Sequence, residues 1–160
     1  MNRKPGKKLP NPVNYSVWLL NYKPKSVKEM TLALKKRGFD DTTVDETVTS
    51  LLDWGYLNDE SYRNYVIAKR KRNNPKGRGF VLRELQEAGI SCGDEIETLY
   101  TDEEERELIA KLLAQWCRAG KPFTENKDRF YQRLYRRGFS SKNIMDQMCM
   151  FSSFPEKETD

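Results

Sequence analysis

At 160 residues, 37% apolar and 33% charged, the chain has room for one ordinary domain or a few small units, but is too polar for one deep core. Three cysteines without CxxC spacing and no histidine leave structural zinc short of its four ligands and make a disulfide framework unexpected; no apolar run exceeds the four residues of 17–20, far too short to span a membrane. The net charge of +5 is unevenly spread: the first 80 residues carry 17 Lys and Arg against 8 Asp and Glu, the last 80 carry 12 against 16, with an acidic stretch at 94–107 and a basic one at 111–142. That alternation suits a polyanion on one side and solvent or a basic protein surface on the other.

Residues 1–10 read as a disordered basic arm. No apolar segment follows it, so neither a signal peptide nor an anchor is expected, and a reducing cytoplasm is the expected compartment. Asn11-Pro12 starts a first helix, with Asn as N-cap and Pro at the first helical position. Val13, Val17 and Leu20 share a face with Trp18 beside them, and Pro24 ends the helix. Ser26-Val-Lys-Glu29 is a capping box opening a second helix, with Val27, Met30, Ala33 and Leu34 inward. A third helix begins in residues 40–43, buries Val44, Val48, Leu51 and Leu52, and ends at Trp54-Gly55.

Asn58-Asp59-Glu60 opens the fourth helix with acids at its positive end. Tyr62, Tyr65, Val66 and Ala68 are expected inward, and the helix runs into Lys69-Arg-Lys-Arg72 before stopping near Asn73-Asn74-Pro75. The fifth follows Gly77, buries Phe80, Val81, Leu85 and Ala88, and ends at Gly89; a short sixth spans about 92–100 with Ile96 and Leu99. Thr101-Asp-Glu-Glu104 is a second capping box, with Leu108, Leu112, Leu113 and Trp116 behind it. After Gly120 and Pro122 an eighth helix carries Phe130, Leu134 and Tyr131 or Tyr135, and a ninth from near Ser140 buries Ile144 and Met148.

One phrase recurs: Leu34-Lys-Lys-Arg-Gly38-Phe39, Leu85-Gln-Glu-Ala-Gly89-Ile90 and Leu134-Tyr-Arg-Arg-Gly138-Phe139. Each is an apolar anchor, a helix-stopping Gly and an apolar residue that can fold back on the last turn, spaced by about 50 residues as in a tandem repeat. The expected fold is all-α: three tandem three-helix repeats (11–55, 58–100, 101–150) in an extended, curved array, with 151–160 a flexible tail.

The absence of His removes the commonest acid–base and triad arrangements, and no phosphate-binding glycine loop is present, so no cofactor and no catalysis are expected. The acids at 103–105 read as a helix first turn complementing the macrodipole, since consecutive positions diverge. The strongest functional segment is 69–78, where Lys69, Arg70, Lys71, Arg72, Lys76 and Arg78 surround a helix–loop–helix junction. Its functional reading is phosphate contact, and its bland reading a solvated helix end. A second basic stripe, Arg129, Arg133, Arg136 and Arg137, occupies the equivalent helix of the third repeat, and Lys35, Lys36 and Arg37 that of the first; recurrence at the repeat period favours one polymeric partner. Tyr62, Tyr65, Phe80, Tyr131 and Tyr135 could stack on bases, though helical spacing favours the core.

Taken in order, Ser26-x-x-Glu29-Met30, Leu34-x-x-x-Gly38-Phe39, Leu51-x-x-x-Gly55-Tyr56-Leu57-Asn58-Asp59, Pro75-Lys-Gly-Arg78, Arg83-Glu84-Leu85-x-x-x-Gly89-Ile90 and Arg136-Arg-Gly138-Phe139-x-x-x-x-Ile144 resemble the RecX family of recombination regulators over about residues 13–148. Asn21-Tyr-Lys-Pro-Lys25 stands where that family usually has an Arg-rich stretch and an Ala/Leu-rich helix. The resemblance implies a non-catalytic protein that binds the RecA filament on single-stranded DNA and blocks its growth or activity. It implies weak, sequence-independent DNA binding, no membrane association and a monomer, with Lys69, Arg70, Lys71, Arg72, Lys76 and Arg78 first among the contacts to RecA or DNA and Arg133, Arg136 and Arg137 second. The competing reading is a direct DNA-binding regulator that uses one repeat as a helix-turn-helix.

Overall fold

The computed structural model describes residues 9–153; most of the expected arm, and the expected tail from residue 154 on, lie outside them. Nine helices and no strand occur among the described residues: α1 (Pro12–Tyr22), α2 (Val27–Arg37), α3 (Asp41–Asp53), α4 (Asp59–Arg72), α5 (Arg78–Glu87), α6 (Glu95–Leu99), α7 (Asp102–Arg118), α8 (Phe123–Arg136) and α9 (Ser141–Ser153). The protein is all-α, three successive triplets of helices. By compactness it forms two units. The first holds α1 to α3, the start of α4 to Tyr65, and residues 87–91; the second holds residues 66–86 and the chain from Cys92 on.

In the first unit, local polar groups close each helix start. Asn11, Ser26, Asp40 and Asn58 each accept from the amide three residues on, at 2.9–3.1 Å. Around Ser26 the capping box is complete in both directions. At the other end of α2, Gly38 takes φ 107°, the amide of Phe39 bonds to the Leu34 carbonyl and that of Gly38 to Lys35. This pair of bonds is the Schellman stop that the Gly-Phe phrase predicts. Ser26 also donates to the Ala88 carbonyl at 2.7 Å, and Asp59 accepts from the Val27 amide at 2.8 Å, so the α2 N-terminus is tied to two later segments. The core comprises Met30, Leu34, Val44, Val48, Leu51 and Leu57. Leu52, expected inward, is exposed, and Trp18 is 62% exposed because it falls off the Val13-Val17-Leu20 stripe. The fully buried α1 residue is Ser16, whose hydroxyl is satisfied by the Pro12 carbonyl at 2.8 Å.

In the last triplet of the second unit, Ile109, Leu112, Leu113, Trp116, Phe123, Phe130, Leu134, Phe139 and Ile144 pack together. The Thr101 capping box forms, with Glu104 at the third helical position. Helix α9 continues through residues 151–153, placed by sequence in the tail, because Phe151 packs against this core, 5.5 Å from the Phe123 ring. On α4, Tyr62, Val66 and Ile67 are buried while Ala68, expected inward, is exposed.

Candidate functional site: a crowded basic surface in the second unit

The last turn of α4 carries Lys69, Arg70, Lys71 and Arg72, cations at the negative end of a helix. The chain then turns through residues 73–77 and enters α5. Two backbone bonds dock this loop on the turn after α8: the Gly77 amide to the Arg137 carbonyl and the Gly79 amide to the Gly138 carbonyl, both 3.0 Å. A Cβ on Gly77 would lie 2.3 Å from the Gly138 oxygen and the Phe139 backbone, so only glycine permits this approach. The two basic stretches singled out in sequence thus meet on one surface.

Their side chains divide sharply. Arg70 makes a two-pronged pair with Glu84 at 2.7 and 2.8 Å. Lys71 bonds Glu104 at 2.7 Å and the Leu99 carbonyl at 2.9 Å, with its ammonium 4.8 Å from the Tyr100 ring centre. Arg78 pairs with Asp102, while its amide donates to Glu105 at 2.9 Å. These three cations are committed to tying α4 and α5 to neighbouring segments of the same unit. The carboxylates report it: Lys71 holds Glu104 below its ordinary pKa, and Asn143, then Arg78, do the same for Asp102.

Lys76, Arg133 and Arg137 are a different population, with no carboxylate at ion-pair distance among the described residues. Two aromatic rings gather them. Lys76 lies 4.7 Å from the Phe80 centre, and Arg133 and Arg137 lie 4.2 and 5.7 Å from that of Trp116. Burial, then Arg137 and Arg70, pushes the Lys76 pKa down; burial, then Arg133, does so for Arg137. Like charges crowded without a counter-anion can be relieved by a bound one. Arg137 is held in place by the Pro75 carbonyl at 3.2 Å. Arg72 and Arg136 are exposed and Lys69 is half-buried on α4.

Of the candidate stacking aromatics, Tyr62 is core, and Tyr65, Phe80 and Tyr131 are half-buried. Tyr135, expected inward as an alternative to Tyr131, is 56% exposed and stacked on Tyr131 at 6.2 Å. In the first unit Lys35 pairs with Asp41 at 2.8 Å, and Arg37 lies over the Tyr15 ring at 5.5 Å.

Sequence reasoning missed Glu105. It is wholly buried, and its carboxylate accepts from the amides of Arg78 and Ser140 and from the Asn143 side chain at 2.9, 3.2 and 2.7 Å. One side chain thus closes the N-termini of α5 and α9. The signal was present: Glu105 sits four and seven residues before Ile109 and Leu112, on the apolar stripe of α7. Among the described residues no cluster of acids or cysteines could hold a metal ion.

Comparison with known proteins bears on what this surface serves. The family model described as RecX, first three-helix domain, matches residues 13–51. A Bacillus velezensis protein named Regulatory protein RecX is 31% identical over 130 residues, covering 79% of this chain and 49% of the relative. Its namesake in Bacillus subtilis is 30% identical over 142 residues, covering 84% and 54%. The chain therefore spans about half the length of these curated relatives. The crystal structure of RecX from Lactobacillus salivarius superposes with a TM-score of 0.75 at 21% identity, over 89% of this chain and 96% of the other, a likeness of fold.

Proposed function

This chain belongs to the RecX family of regulatory proteins, and on that premise we propose that it is a non-catalytic regulator of the RecA recombinase. It binds the RecA filament on single-stranded DNA and restrains its growth or ATP hydrolysis. The observation that carries this reading is the match, along most of the chain, to proteins named as regulators. The uncompensated cluster of Lys76, Arg133 and Arg137 supports it, as a surface for RecA carboxylates or DNA phosphates. Arg72, Arg136 and Lys69 add long-range attraction at its edge. Arg70, Lys71 and Arg78 act indirectly, by fixing the elements that display the others. DNA binding on its own is weak, blind to sequence and sensitive to salt, and the protein acts as a monomer in the cytoplasm.

The test is RecA's DNA-dependent ATP hydrolysis with substoichiometric amounts of this protein. A fall in rate well below one-to-one is expected. Full activity in the presence of folded protein would overturn the reading and direct attention to recognition of duplex DNA.

A further inference from the structure

A second feature of the second unit lies outside the crowded cluster. It is a pocket of about 730 Å³, in the range that takes one or two side chains or a small ligand. Leu82, Ile96 and Phe139 give it apolar walls, and Arg83 and Arg136 contribute guanidinium groups. Each of these arginines spends its Nε on the carbonyl four residues earlier, Gly79 and Gln132, both at 3.3 Å. Those bonds steady the stems and leave the terminal nitrogens of both without a carboxylate partner among the described residues. The other charged groups of the lining are mostly compensated: Arg78 by Asp102, and Glu105 by its three donors.

We propose that this pocket docks a short acidic segment of a protein partner, with a large apolar side chain between Leu82, Ile96 and Phe139 and flanking carboxylates on Arg83 and Arg136. Charge complementarity fixes the sign of the occupant, since two uncompensated guanidiniums match carboxylates in paired geometry. Shape and surroundings favour peptide over nucleic acid. A phosphodiester chain is charged at every unit and needs a continuous basic track. Here the exposed carboxylate of Glu97 stands in the lining, and the acidic stretch 94–107 runs on from it. A peptide can set one or two acids beside the arginines and present neutral or apolar residues elsewhere. The inference goes beyond the recombinase reading and does not depend on it.

The test is a ¹⁵N NMR titration of the full chain with acetyl-Asp-Leu-Glu-Phe-amide to low millimolar concentration. Saturable shifts are expected at the amides of Gly79, Ser140 and Ser141. The neutral analogue acetyl-Asn-Leu-Gln-Phe-amide should bind about tenfold more weakly or worse, a loss of roughly 1.4 kcal/mol. Arg83→Gln with Arg136→Gln should weaken the acidic peptide similarly with an unchanged amide spectrum elsewhere. Because Arg136 also borders the basic surface, ATPase inhibition is not the readout. Absence of saturable shifts, equal binding of the two peptides, or undiminished binding by the double variant would each overturn the proposal. So would an oligothymidylate that shifts the same amides in an arginine-dependent way while the peptide does not, because the pocket would then read nucleic acid.

Discussion

In the first unit, helices begin on short polar side chains that reach three residues along their own chain, and Ser26 to Ala88, Lys28 to Glu87 and Asp59 to Val27 cross-link more distant segments. In the second unit local caps recur at Thr101 and Ser140, and to them are added ties between charged groups and partners 24 to 38 residues apart: Arg78 with Asp102, Lys71 with Glu104, and Glu105 with Arg78, Ser140 and Asn143. The difference bears directly on function. A basic run in sequence overstates the charge available to a partner when half of it is already answered from within. Residues 69–78 look like one patch on paper, yet Arg70, Lys71 and Arg78 are paired with carboxylates of the same unit, whereas Lys76, like Arg133 and Arg137, lies against an aromatic ring; on the proposed reading these three form the contact surface.

The largest expected effect comes from removing the centre of that internal network. Glu105→Ala leaves the Arg78 and Ser140 amides and the Asn143 side chain facing a cavity, at about 3 kcal/mol or more of stability. Denaturant unfolding followed by Trp116, the tryptophan of the second unit, should move strongly, while exposed Glu103→Ala should leave it unmoved. If Glu105→Ala melts like the parent protein, the second unit is not held by this carboxylate and the contrast between the units collapses.

Next is the backbone contact. Gly77→Ala places a Cβ 2.3 Å from a carbonyl oxygen and a neighbouring backbone, which must separate, at about 2 kcal/mol or more. In the first unit Gly55→Ala meets no atom within 4 Å, and its cost is the positive φ of 73° alone, about 1 kcal/mol. Amide hydrogen exchange in α8 and α3, respectively, separates the two. Equal losses would mean that the loop yields and that the two basic stretches are not rigidly joined.

These examples also mark how far the sequence could be read. The helices, their starts and the Gly stops were legible because caps and stops are local: Ser26 with Glu29, Thr101 with Glu104, and Gly38 with Phe39 all act within one or two turns. Leu52 misled because an apolar residue directly after a core position looks inward, yet successive positions on a helix point in different directions. The pairing of the basic residues was illegible for a different reason. Which acid answers which base depends on how α4, α5 and α7 pack, and no spacing in the chain encodes a Lys71–Glu104 pair 33 residues apart. Glu105 was readable in principle, from its place on the α7 stripe, but an acid beside two other acids at a helix start is usually solvated.

A moderate effect is expected from acid. Asp102 and Glu104 titrate below their ordinary values of 3.8 and 4.5 in the folded protein, through hydrogen bonds from Asn143 and Lys71 respectively. Groups depressed by folding contribute stability that is complete above their unfolded values and lost as pH falls through the folded ones. In the first unit Asp40 is a counterpart, held down chiefly by the Thr43 amide. Stability of the second unit should therefore fall more steeply between about pH 5 and pH 2. Hydrogen exchange across that range checks it, and parallel decline of both units would remove electrostatics as the distinguishing feature.

The smallest structural effect, and the sharpest functional one, comes from separating struts from contacts. Arg72→Ala touches an exposed cation and should leave the melting temperature unchanged, whereas Arg70→Ala removes the two-pronged pair with Glu84 and should cost about 1–2 kcal/mol. Lys76→Ala with Arg133→Ala relieves like-charge crowding, so it should unfold no more readily than Arg70→Ala while losing more of the inhibition of RecA. That inverse order is what a binding surface requires and a purely structural network forbids. If Arg70→Ala proves the stronger loss of inhibition per unit of stability lost, then Arg70 itself meets the partner, and its pair with Glu84 is exchanged on binding.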